Sequence, residues 1–198
     1  MEQYFEKDKL ELGIDEAGRG CLFGPVSIAG VVWINEEINP SIEIRDSKKL
    51  SRNQRDYMRE YIEFTAIDFS VASVNNQEID AINIRNAAFL AMHRAVDGLN
   101  VTPEFLLVDG NAFKPYITAG SRDVIEHKCI IAGDDKYQSI AAASILAKVY
   151  HDEYIDNLVK ENADLEKYNW TSNMCYGTAE HLNAIKEYGI TPYHRKSF

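Results

Sequence analysis

The chain has 198 residues, 45% of them apolar and 26% charged, with a formal net charge of −10. This composition suits one globular domain with a substantial core and excludes disordered and fibrous classes. The longest uncharged stretch, 16 residues from Gly20 to Asn35, is broken by Gly24, Pro25 and Gly30, and falls short of the roughly 20 apolar residues of a membrane span. The acid-rich N-terminus lacks a signal-peptide core, and three separated cysteines without a CxxC pair fit a reducing cytoplasm and give no zinc signature. An acidic total argues against a polyanionic partner. Residues 45–59 nevertheless carry a local net charge of +4 and residues 152–166 one of −5. The basic stripe suits a polyanion and, equally, the solvated face of a helix.

Leu10, Leu12 and Ile14 alternate with Glu11, Gly13 and Asp15, the period of a strand that puts Asp15 on the face opposite the leucines. A glycine-rich turn leads to the apolar run VSIAGVVWI at 26–34, and the short connection predicts an antiparallel hairpin. Ser51 caps a predicted helix to about residue 64 with Tyr57, Met58, Tyr61 and Ile62 on its apolar face; 67–74 alternates as a third strand. Helical spacing runs from Ile84 to Leu99. EFLLVDGN and HKCIIAGDD read as two short buried strands, each followed by an acid, and a long helix spans about 138–162, opening on small residues. A loop with Tyr168, Trp170 and Tyr176 leads to a last helix near 179–188. The order predicts a mixed α/β sheet, antiparallel at its start and parallel where helices intervene, with a small helical C-terminal lobe from about residue 150 within a single domain, 1–198.

Three predicted strands end in acids: Asp15-Glu16, Asp109 and Asp134. Any one of them is explained as a cap of the turn that follows. Three together, one a doublet, point to a site beyond the strand ends, where loops converge. Gathered carboxylates repel unless a cation sits among them, and an oxygen-only donor set selects Mg²⁺ or Mn²⁺ over zinc. Two such ions would clamp the attacking and leaving oxygens of a phosphodiester.

Seven segments occur in order: GIDEAGRG followed by GPV, DSKKLS, INIRNAAFLAMHRAV, LLVDGN, GDDKYQSIAAASILAKV, YGTAEHL and PYHRKSF. Together they closely resemble type 2 ribonuclease H, the bacterial ribonuclease HII family, from about residue 10 onward. The resemblance implies a ribonuclease H-like fold and cleavage of the RNA strand of RNA–DNA hybrids. It also implies incision 5′ of a single ribonucleotide in duplex DNA, leaving 5′-phosphate and 3′-hydroxyl ends through two Mg²⁺ or Mn²⁺ ions. Asp15, Glu16, Asp109 and Asp134 are then the catalytic, metal-binding acids. Gly18, Arg19 and Gly20 read the ribose 2′-OH together with Tyr176, the Arg19 side chain is expected to meet a phosphate or order the acids, and Ser47 and Lys48, helped by Lys49, contact a backbone phosphate. Asp135 is expected to face solvent, Ser139 and Ser144 to serve helix–sheet packing, and His194 and Arg195 either to approach nucleic acid or to pin the C-terminal segment. Where the family usually has Lys-Gly before the tyrosine, this chain has Met174-Cys175, which removes a phosphate-contacting lysine. A cytoplasmic monomer acting on RNA–DNA hybrid or ribonucleotide-containing duplex is expected, with no C-terminal tail for docking on a sliding clamp. A junction resolvase of the same fold superfamily would share the acids without needing Gly-Arg-Gly and Tyr176. A silent hybrid-binding protein would have lost an acid.

Overall fold

The computed structural model describes residues 1–33, 44 and 46–198. Ile34 of the apolar run and Arg45 of the basic stripe lie outside the described residues. Five strands form one sheet in the order β3-β2-β1-β4-β5. β1 (Glu11–Ala17) and β2 (Val26–Val32) make the expected hairpin, and β3 (Asp68–Val74) pairs antiparallel with β2. β4 (Phe105–Asp109) and β5 (Glu126–Ile130) add parallel strands on the other side of β1.

Strand alternation sends side chains to two separate cores. Leu12, Ile14, Val26, Ile28, Leu106 and Val108 meet one face of helix α3 (Ile84–Asp97), which buries Ala87, Ala91, Met92 and Ala95 at helical spacing. The intervening residues Ala29 and Val31 pack on the opposite face against α4 (Gln138–Glu161) and α1 (Arg52–Thr65). The approach of α4 is tight enough to dictate Gly13, since a Cβ there would lie 2.3 Å from the carbonyl carbon of Ser139. Ser51 caps α1 in a reciprocal capping box with Gln54. Met58 and Ile62 face the core, whereas Tyr57, expected beside them, is exposed. Among the described residues no helix is long and apolar enough to cross a membrane.

Three expectations change. A further helix, α2 (Asn76–Ile82), precedes α3; it is capped by Asn75 and separated from α3 by Asn83, whose φ of 65° ends one helix while its side chain caps the next. β5 is an edge strand, partly exposed, where a buried one was expected, and it stops at Ile130. Asp134 therefore does not end a strand; it sits in a single 3-10 turn, Gly133–Asp135, that leads into α4.

A third cluster joins the end of α4 to the C-terminal segment. Residue 150 falls inside α4, and beyond it Leu165, Tyr168, α5 (Trp170–Asn173) and α6 (Ala179–Tyr188) enclose Cys21 and Phe23 from the β1–β2 loop. The Phe23 and Trp170 rings stack at 3.6 Å between centroids. Two buried histidines lie in this cluster, and their partners define their protons. His194 Nδ1 accepts from the Thr191 N–H at 2.8 Å, so its proton is on Nε2, directed at His181 Nε2 3.3 Å away. His181 Nε2 also accepts from Trp170 Nε1 at 2.9 Å, so its Nδ1–H donates to the Tyr176 carbonyl at 3.0 Å.

Both imidazoles are thus held neutral, and burial first, then His181, pushes the His194 pKa down to about 4. The unfolded chain takes up that proton below about pH 6.5 while the folded protein does not, so stability falls as pH drops. The loss begins near pH 6.5, is complete near the folded value of about 4, and amounts to about 3 kcal/mol. Urea unfolding of wild type and His194→Gln from pH 7.5 to 4 should show a shallower pH dependence in the variant by that amount. Parallel curves would contradict the assignment.

Candidate active site

The acids gather where two ladders part. The parallel pairing of β1 with β4 stops at Ile14–Val108, while the antiparallel pairing of β1 with β2 continues to Ala17–Ser27. Asp15 and Glu16 therefore lie within β1, at a fork in the sheet, and not where the strand stops. The pleat turns adjacent side chains to opposite faces, so Asp15 joins Gly13 on the α4 face and Glu16 joins Ile14 on the α3 face. Asp109, the last residue of β4, shares the α4 face with Leu107 and lies beside Asp15. The Gly133 N–H donates to Asp109 Oδ1 at 2.7 Å, which ties the turn carrying Asp134 to the same spot. Asp15 and Asp134 are buried.

The electrostatics follow from this crowding. Burial above all, then Asp109 and Asp134, holds the Asp15 carboxyl well above the usual range, against the Glu16 N–H and the Ser144 hydroxyl, which favour its charge. Asp109 is raised chiefly by burial, with Asp134 and Glu16 adding to the effect and Gly133 and Lys48 opposing it. Glu16 Oε1 receives the Arg19 guanidinium at 2.9 Å, whereas its Oε2 is buried and has no hydrogen-bond partner among the described residues. A bare carboxylate oxygen next to carboxylates that resist ionisation is a donor set suited to a hard divalent cation. No three His, Cys, Asp or Glu side chains among the described residues form a ready-made metal cage. Mg²⁺-type ions generally keep water and take one or two carboxylates together with substrate phosphate oxygens.

Beside the acids, residues 18–25 form a loop held from below by a cation. Arg195, only 4% exposed, donates to the carbonyls of Gly18 (2.7 Å), Arg19 (2.9 Å), Gly24 (2.9 Å) and Pro25 (2.7 Å). Gly18 has φ +80°, and a Cβ there would meet His151 Nε2 at 2.4 Å, so only glycine fits. The Tyr176 ring lies over Gly20, 3.4 Å from where a Cβ would project, and the residue is 44% exposed.

The matching family model, Ribonuclease HII, covers residues 12–198. The chain belongs to the ribonuclease HII family. It is an endoribonuclease. A ribonuclease HII of Christiangramia forsetii is 52% identical over 94% of this chain and 88% of its own length. Among solved structures, the ribonuclease H2 of Pyrococcus horikoshii aligns with a TM-score of 0.77 and 26% identity, covering 95% of this chain and 93% of that one. The ribonuclease HII of Archaeoglobus fulgidus, solved in complex with PCNA, aligns at 0.75 and 25% over 96% of this chain and 95% of its own. The mixed sheet flanked by helices is thus the ribonuclease HII fold.

Within this ribonuclease HII frame the remaining expected residues divide. Lys48 is exposed and reaches Asp134 Oδ2 at 3.2 Å. Burial pulls its ammonium pKa down, but Asp134, Asp46 and Asp15 outweigh that and raise it. Ser47, expected on a phosphate, is buried with its Oγ 2.8 Å from Ser144 Oγ, so its hydroxyl packs a second 3-10 turn, Ser47–Lys49, onto α4. Lys49 pairs with Asp135, which faces solvent. Ser139 and Ser144 are buried in α4. Met174 and Cys175, at φ 48° and 66°, hold the left-handed conformation that glycine adopts freely. Met174 N–H to Trp170 O, Cys175 N–H to Asn173 Oδ1 and Cys21 Sγ to Met174 O keep that turn in shape.

Arg195 is the residue whose role the sequence left open: the structure makes it the pin of the glycine loop, not a nucleic-acid contact. Arg195→Met would strand four carbonyls and should lower stability by about 3 kcal/mol in urea unfolding. Arg195→Lys should recover less than half of it, because an ammonium cannot fork across four acceptors. A lysine variant as stable as wild type would contradict the pinning role.

Proposed function

We propose that this chain hydrolyses the RNA strand of RNA–DNA hybrids and cuts duplex DNA 5′ of a single embedded ribonucleotide, leaving 5′-phosphate and 3′-hydroxyl ends. The observation that carries this reading is the placement of a pinned glycine loop and an exposed tyrosine face beside buried carboxylates at one fork in the sheet. The carboxylates supply the hydrolytic end and the loop with Tyr176 supplies the sugar-reading end.

Asp15, Glu16, Asp109 and Asp134 are the groups that would hold two divalent ions, Mg²⁺ or Mn²⁺. When bound, these ions supply water activation at neutral pH and charge stabilisation at the departing 3′-oxygen. Arg19 orients Glu16 by holding Oε1, which leaves the buried Oε2 without a partner among the described residues. The Gly133 N–H orients Asp109, and the Glu16 N–H orients Asp15 at 2.7 Å. Arg195 keeps the carbonyls of Gly18 and Arg19 turned inward, which sets the other edge of the loop toward the substrate. Backbone groups there and the Tyr176 hydroxyl supply donors and acceptors for a ribose 2′-OH, the group that distinguishes RNA from DNA. Lys48 is drawn toward Asp134 and, once cations neutralise the acids, is free to meet a phosphate. No histidine is needed as base: His151 and His181 are buried and carry structural bonds.

Cleavage of a labelled DNA duplex carrying one ribonucleotide, with Mg²⁺, Mn²⁺ or EDTA and beside an all-DNA control, tests the reading. A metal-dependent cut immediately 5′ of the ribonucleotide is expected. Cutting of continuous hybrids alone would overturn the sugar-reading role of Gly18–Gly20 and Tyr176. Asp109→Asn should lower turnover by at least about 10³-fold. In the absence of metal near pH 7 it should also raise the melting temperature, because a neutral amide keeps the bond from Gly133 and removes a charge that burial disfavours. Near-normal turnover in that variant would count against the assignment.

A further inference from the structure

Most cations around the acid cluster are committed to a carboxylate. Arg19 holds Glu16, Lys48 reaches Asp134 and Lys49 pairs with Asp135. Arg85 differs. It stands in the first turn of α3 and lines the same cavity as Glu16 and Asp109, yet among the described residues it makes no ion pair or hydrogen bond through its side chain. Its guanidinium lies 5.7 Å from the Phe89 ring centroid. That contact restrains the side chain while leaving its N–H edge open.

Arg85 and Phe89 also line an adjoining groove, which runs between the start of α3 and the segment after β4 and is bordered by Lys114. Lys114 is exposed and likewise has no carboxylate partner among the described residues. A chain of net charge −10 gains no solubility from two unpaired cations along one groove. Their placement is complementary to an anion that continues outward from the carboxylates.

We infer that the groove bordered by Arg85 and Lys114 binds backbone phosphates of the nucleic acid, carrying one strand away from the acid cluster. Arg85 forks onto a phosphate close to the cleavage site, and Lys114 holds one further out as a point charge. This rests on the proposed function, and it adds a phosphate site on the α3 side of the sheet, apart from Lys48 on the α4 side. Neither residue takes part in bond breaking.

The test is fluorescence anisotropy of a labelled duplex carrying one ribonucleotide, in EDTA so that nothing is cut, across a KCl series. Wild type is compared with Arg85→Gln, Lys114→Gln, the double variant and Lys186→Gln as a charge-matched control on α6. Each groove variant should raise Kd several-fold and reduce the slope of log Kd against log salt by about 0.9, and the double variant by about twice that. In cleavage assays KM should rise in parallel with kcat within about twofold of wild type. Groove variants whose Kd and salt slope match those of Lys186→Gln would overturn the inference, even with wild-type cleavage intact. Binding is read without catalysis, so a wild type that failed to cut would overturn the proposed function while the groove was still judged on its own.

Discussion

Crowded negative charge is the constraint around which this molecule is arranged. Buried carboxylates at the fork between β1 and β4 oppose one another and resist ionisation, and a fold built for stability alone would not keep them together. What makes the arrangement tolerable is local and directional. One backbone N–H serves Asp15 and another serves Asp109, a guanidinium serves half of Glu16, and an ammonium serves Asp134. The pleat of β1 keeps the Asp15-Glu16 doublet from pointing the same way. Even so, the four carboxyls have only two cationic side-chain partners among the described residues, Arg19 and Lys48.

The second half of the site depends on the C-terminal segment. Arg195 holds the glycine loop by its carbonyls, and His181 holds Tyr176 by its carbonyl, with His194 and Trp170 fixing the His181 tautomer. Both partners act on backbone atoms. The surface proposed to read the sugar is therefore built from main-chain geometry that buried polar side chains over-determine, which would suit recognition of a hydroxyl present on every ribonucleotide whatever its base.

Much of this was legible in the sequence because it is written in periodicities. The alternation at 10–15 and 67–74 and the helical spacing from Ile84 identified strands and a helix, and the turn-rich short connection after Ala17 identified a hairpin. The acids stood out because charge at the end of an apolar run is rare without cause, although of the four only Asp109 proves to end a strand. What escaped was tertiary. That β5 is an edge, that Asp134 sits a turn beyond it and that Ser47 faces Ser144 all depend on neighbours far along the chain. The helix at Asn76–Ile82 left a local sign, the Asn75/Glu78 capping box, but at seven residues it is too short to show a period. Arg195 looked like one tail cation among several, because nothing local distinguishes an arginine aimed at four carbonyls from one aimed at water. The left-handed turn at Met174-Cys175 was equally invisible, since neither residue favours that conformation.

The pin on the glycine loop also bears on when the site comes into being. Arg195 Nη2 and the Gly18 carbonyl are 177 residues apart in the chain, and at typical synthesis rates of about 5–20 residues per second the second follows the first by roughly 9–35 s. The β1–β2 hairpin has its own local pairing and can form early on the ribosome, but its connecting loop stays unlatched until Arg195 has been made. A nascent chain thus acquires its acids in stages, with Asp134 well after Asp15, and gains the pin on its glycine loop later still. Such a long-range closure is slow and carries a loop-entropy cost, so the loop beside the acids takes its final shape well after the hairpin that carries it.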